Sequence, residues 1–154
     1  MDLVDATYII TLPNSDPGQA EVRAMLVAAA NKPRRAAVEA LGERRFWGLL
    51  KIADAVLGNS SSAMIEAPAL GVPAVNVGDR QKGRIRSASV LDVTPEGKAV
   101  AVALRSALTD EFRAIASRAP GPFGDGHSAD RIGAVLSSWT PPSPPVKKRH
   151  KVPS

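Results

Sequence analysis

The chain has 154 residues, enough for one ordinary domain with a sizeable core and too few for two domains joined by a cleft. Hydrophobic residues make up 44% and aromatics only 4%, which points to an Ala, Val and Leu core of the α/β kind and excludes a disordered chain. The formal charge of +5 sits mostly at one end: without Lys147, Lys148, Arg149 and Lys151 it falls to +1, leaving no basic face with stacking aromatics for nucleic acid.

Along the chain, strands are expected to alternate with helices. Tyr8–Leu12 is β-rich, and after the turn PNSDPG the residues Val22, Met25, Leu26 and Ala29 repeat at helical spacing. Ala37–Leu41 suits a second strand, and Phe46, Leu49, Leu50 and Ala53 mark the apolar face of a helix. A short buried strand, Ala55–Gly58, follows, then a serine-led helix ending near Gly71 and a strand over Ala74–Val77. Val90–Val93 is the last expected strand. Pro95 suits the first turn of a helix carrying Val100, Leu104 and Leu108, and Ser128 suits the cap of a final helix with Ile132, Val135, Leu136 and Trp139. Repeated βα units imply a parallel, doubly wound sheet over residues 1–139, and the Pro-rich, basic stretch 140–154 is read as a disordered tail.

No apolar run approaches the roughly 20 residues of a membrane helix, and MDLVDATYIITLP has neither the basic flank nor the cleavage site of a secretion signal, so a cytoplasmic protein is expected. The absence of cysteine excludes disulfides and thiolate chemistry. His127 and His150 are too far apart for a zinc pair, and neither a metal nor a cofactor is expected.

The chemistry concentrates in GNSSSAMIEAPALGVP, Gly58–Pro73, and in the loop GDRQKGR that follows the next strand. Ser60, Ser61 and Ser62 stand where the chain turns from strand to helix, and free N–H groups with the positive pole of the peptide dipoles can hold a phosphate there. Glu66, four residues beyond Ser62, would lie on the same helical face, and one carboxylate accepts two hydrogen bonds from a ribose diol. Serines followed by this glutamate therefore match both polar ends of a nucleotide diphosphate. The plainer reading is that the serines cap the helix and Glu66 is a surface residue. Against it, the capping box wants an acid three residues after the cap, where Ser62 has Ile65, and Glu66 sits among apolar neighbours. Read alone, TLPNSD is an ordinary turn and GDRQKGRIR a solvated basic loop.

The run GNSSSAMIEAPALGVPAVNVGDRQKGR, with TLPNSD, LGERRFWGLLKIAD and GDGHS in order around it, resembles the UDP-N-acetylglucosamine 2-epimerases, specifically the UDP-hydrolysing branch. The resemblance covers nearly everything from Ala6 to Trp139. It implies a Rossmann-like domain equivalent to the C-terminal half of a glycosyltransferase B fold. Ser60, Ser61, Ser62 and Glu66 would hold the UDP phosphates and ribose, Asn14 and Arg80 would face the sugar nucleotide, and Leu41 and Gly42 would line the uracil pocket. The glycine that commonly follows the serines in the family is Ala63 here.

The same resemblance implies that the acid and base for eliminating UDP and adding water belong to a first domain with no counterpart in this sequence, so no catalytic residue is assigned. The ligand implied is UDP or UDP-N-acetylglucosamine, with an N-terminal-domain chain or a homo-oligomer as possible protein partners. Other readings are a stand-alone sugar-nucleotide or regulatory module and the donor domain of a glycosyltransferase; GDRQKGR favours the epimerase branch. The last helix would cover its own domain, meet another chain or leave an exposed apolar stripe.

Overall fold

The computed structural model describes residues 4–13, 19–119 and 121–141. Its elements run β1 (Tyr8–Thr11), α1 (Gln19–Ala30), β2 (Arg35–Val38), α2 (Glu43–Ile52), β3 (Val56–Gly58), a 3₁₀ turn (Ser61–Ala63), α3 (Glu66–Ala69), β4 (Ala74–Val77), β5 (Val90–Val93), α4 (Gly97–Ala107), α5 (Asp110–Arg118) and α6 (Ser128–Ser138). The described residues fall into two compact units divided between Phe123 and Gly124, with α6 in the second.

Every ladder among the described residues is parallel. One sheet pairs β1 with β2 and the other has the order β3-β4-β5. The alternation of βα units read from the sequence is thus present, and the arrangement is an α/β, Rossmann-like one. β4 is the middle strand of its sheet, and its side chains serve two cores on opposite faces. Ala74 packs with Ala63, Met64, Ala67 and Val72 beneath the serine turn and α3. Val75, one residue on, packs with Ala103, Leu104 and Ala107 of α4, and Tyr8 and Leu57 join that cluster.

The expected helix from the serines to Gly71 is not continuous. A 3₁₀ turn is followed by the four-residue α3, and Pro68 accounts for the break. In one long helix Pro68 would lie in the interior, where its ring meets the carbonyl four residues back and its missing N–H breaks the ladder. Restarting at Glu66 places Pro68 in a first turn, where no donor is needed. Ser62 thus belongs to the 3₁₀ turn and Glu66 to α3, two short elements where one helix was expected.

Gly71 ends the segment with φ +69°, and a Cβ built there would stand 3.0 Å from the Ser117 Cα of α5, so glycine is required for both reasons. The second strand lies at Arg35–Val38, two residues earlier than expected at its start. α1 packs beside β2 but buries none of its residues, leaving Val22 and Met25 exposed. α5 has no counterpart among the expected elements; Thr109 caps it by accepting the Phe112 N–H at 3.2 Å. In the second unit His127, not Ser128, holds the cap position of α6, and the stripe Ile132, Val135, Leu136 and Trp139 is exposed.

Candidate functional site

β3 and β4 end side by side, with Gly58 opposite Asn76, so the serine turn and the basic loop leave adjacent strand ends. In parallel α/β sheets such carboxyl ends are where ligands collect. Ser60 takes the capping role: its Oγ accepts the Ser62 N–H at 3.3 Å. That leaves the Ser61 N–H without an acceptor among the described residues, an open donor flanked by three hydroxyls. The turn is short, so the anion attraction here comes from local N–H groups and not from the summed dipole of a long helix.

Glu66 opens α3 and is half-buried, and its Oε2 is sealed from solvent without a hydrogen-bond partner. A buried carboxylate oxygen normally has a donor, so this one is poised to accept from a ligand. Two further buried acceptors share this condition, Asn76 Oδ1 at the end of β4 and Gln81 Oε1 in the loop.

The basic loop is not the free, solvated segment that its composition suggests. Gln81, 4% exposed, donates from Nε2 to the Asn59 carbonyl at 2.8 Å and so ties the loop to the serine turn. Arg86 donates from Nη2 to the Gln81 carbonyl, from Nη1 to the Arg84 carbonyl and from Nε to Asp92 Oδ2, all within 2.9 Å. Asp92 Oδ1 in turn accepts from Asn76 Nδ2 at 2.6 Å. Arg86 is therefore a strut, whereas Arg80, Lys82 and Arg84 are exposed cations. Gln81, Arg86 and Asn76 are the residues that sequence reading overlooked; the signals were an amide inside a basic run and an amide inside the strand AVNV.

The Arg86 guanidinium holds the Asp92 carboxyl below the usual aspartate range; partial burial opposes this and the Asn76 amide assists. A folded-state pKa below the unfolded one contributes stability above the unfolded value and loses it as pH falls through the folded value. Arg86→Met is thus expected to shrink the acid-side loss of stability relative to the parent. Urea unfolding midpoints from pH 7 down to about 3 would read this, since the parent and variant share all other carboxylates. Parallel pH curves for the two proteins would show that the strut carries no such linkage.

Of the other expected site residues, Leu41 is half-buried and Gly42 sits at the start of α2 with φ +69°. Both lie in the loop that follows β2, a strand of the other sheet, and among the described residues no hydrogen bond links them to the serine turn. Asn14 lies outside the described residues. Two hollows of about 270 and 460 Å³, beside Tyr8 and Arg34 and beside Asp92 and Val102, fall away from the serine turn. No trio of His, Cys, Asp or Glu among the described residues could hold a metal, and no helix there is long and apolar enough to cross a membrane.

The chain is similar to known proteins. The family model described as UDP-N-acetylglucosamine 2-epimerase matches residues 2–137. A GDP/UDP-N,N'-diacetylbacillosamine 2-epimerase (hydrolyzing) from Campylobacter jejuni is 36% identical over 92 residues, 58% of this chain and 24% of that protein. A UDP-N,N'-diacetylbacillosamine 2-epimerase (hydrolyzing) from Legionella pneumophila is 33% identical over 126 residues, 82% of this chain and 32% of its own length. A crystal structure from Listeria monocytogenes, described as a UDP-N-acetylglucosamine 2-epimerase, superposes with a TM-score of 0.66 at 24% identity, covering 82% of this chain and 34% of that one. The chain thus spans about a third or less of the length of these proteins. With a match across nearly all the described residues and the serine, glutamate and GDRQKGR segments inside it, the chain belongs to the UDP-N-acetylglucosamine 2-epimerase family.

Proposed function

We propose that this chain is the UDP-binding wall of a hydrolysing 2-epimerase that converts UDP-N-acetylglucosamine and water to N-acetylmannosamine and UDP. The observation that carries this reading is the buried, unpartnered carboxylate oxygen of Glu66, which opens the helix following a turn with an open N–H and three serine hydroxyls. A uridine diphosphate supplies what each lacks: ribose hydroxyls that donate to Glu66 and phosphate oxygens that accept from Ser60, Ser61 and Ser62. Arg80 supplies a cation from the adjacent loop, and Leu41 and Gly42 meet the base from the end of β2.

In this reaction UDP is the leaving group, so negative charge grows on its β-phosphate as the bond to C1 of the sugar breaks. Donors fixed on the serine turn and a cation on a tethered loop stabilise that charge without rearranging, which is where a binding wall contributes to rate. Removal of the proton at C2 and addition of water need an acid and a base from the part of the family's length outside this chain. Binding is therefore expected without appreciable turnover.

Calorimetric titration with UDP, uridine and pyrophosphate tests this. The parent chain binds UDP weakly, because one wall leaves much of the ligand in water. Glu66→Ala is expected to weaken UDP and uridine at least about tenfold, the loss of one charge-assisted hydrogen bond, and to leave pyrophosphate unchanged. Equal UDP affinities for parent and variant would remove Glu66 from the site. Release of N-acetylmannosamine by the pure chain would overturn the assignment of catalysis elsewhere.

A further inference from the structure

The two sheets can be laid onto one doubly wound sheet in a single way. A six-stranded dinucleotide-type sheet has the order 3-2-1-4-5-6. The observed β2-β1 occupies the places of strands 3 and 2, and β3-β4-β5 those of strands 4, 5 and 6, with every ladder parallel. On that template the place between β1 and β3 belongs to strand 1, for which the described residues hold no counterpart. The other common doubly wound order, 2-1-3-4-5, needs β1 paired with β3, and no such ladder is present among the described residues.

The backbone supports the same conclusion. Tyr8 and Leu12 donate their N–H groups to Arg34 and Val38 at 2.9 Å, so by the alternation of a strand Ile9 and Thr11 direct theirs away from β2. Val56 donates to Pro73 at 2.8 Å, so Leu57 directs its polar groups away from β4. Both inner edges thus present unpaired N–H and C=O groups inside a single compact unit, where they ordinarily find partners. Ile9 also stays 45% exposed on a face of β1 that a crossover helix would cover.

We infer that β1 and β3 are the two sides of a slot for a parallel β-strand supplied from outside residues 1–154, followed by a helix, by the polypeptide that carries the rest of the family's length. Such a strand is buried on both faces, so it is an apolar, β-branched run without proline. Residues 140–154 cannot supply it, having prolines at 141, 142, 144, 145 and 153. The relatives have the chain to do so, since this sequence spans about a third or less of each. The slot adjoins the end of β3, at the switch point where ligands sit in such sheets, so the serine turn gains its second neighbour only when the slot is filled.

Hydrogen exchange of the full chain, alone and fused at its N-terminus to the roughly 30 residues preceding the matched segment of the Legionella relative, tests this; about that length is needed for a strand and crossover helix. In the chain alone the Ile9, Thr11 and Leu57 amides are expected to exchange at least about a hundredfold faster than those of Tyr8, Ile10 and Val56. In the fusion they should become as protected as those neighbours, with a higher melting temperature. A proline in the middle of the grafted strand should abolish both effects. Protection of the three amides in the monomeric chain alone, or a fusion that leaves them exposed, overturns the inference. So does protection that accompanies a doubled mass and fades on dilution, which would make a second copy the occupant. None of these readings depends on UDP, so the fate of the slot and of the nucleotide site are separable.

Discussion

Met64→Ala is expected to cost about 2–5 kcal/mol of stability, the usual range for deleting a fully buried methionine side chain. Met64 is 0% exposed and lies between the serine turn and α3, packed with Ala63, Ala67, Val72 and Ala74. The larger Val56, Ile65, Leu70 and Val90 pack against the same cluster, and how far they close the space left behind sets the place within that range. Against a total of about 5–15 kcal/mol for an ordinary domain, this is a large fraction. Chemical denaturation reads it as a lower midpoint at unchanged slope. Met64→Leu, which keeps the volume, should stay within about 1.5 kcal/mol. A loss of less than about 1 kcal/mol for the alanine variant would mean that the turn is held by other contacts.

Gly71→Ala is the second large effect. The residue has φ +69°, a conformation costing roughly 1–2 kcal/mol for any side chain with a Cβ. The new methyl would also stand 3.0 Å from the Ser117 Cα, where only the backbone of α5 can yield, adding about 1–3 kcal/mol. Gly83→Ala separates the two causes: its φ is +84° but nothing lies within 4 Å of the added carbon. Thermal unfolding should rank the parent above Gly83→Ala and Gly83→Ala above Gly71→Ala. Equal losses at the two glycines would show that α5 moves aside at little cost.

What the sequence made legible follows the range over which each signal acts. β4 and β5 were expected at their observed bounds, because buried strands flanked by turns are local patterns of residue type. The serine-led helix was expected too long because three serines and an apolar stripe outweighed one proline, and the structure resolves that conflict in favour of Pro68. α5 was missed although Thr109, Asp110 and Glu111 form a start signal, since it follows α4 almost without a break. The tether and the strut were out of reach: Gln81 meets Asn59 across 22 residues, and Arg86 reads as surface charge until Asp92 is placed beside it. The split sheet was equally hidden, because strand order is a property of the assembled backbone and not of any one segment.

The strut on Arg86 divides the loop into a chassis and a set of interchangeable fittings. Arg86 and Asp92 hold one another by their side chains, so evolutionary change at either calls for a matching change at the other, whereas Arg86 meets Gln81 only at its backbone carbonyl. Lys82 and Arg84, exposed and outside the strut, carry no such obligation and can drift singly. A lineage could therefore retune its preference among anionic ligands there while the underlying shape, inherited from β5, stays put.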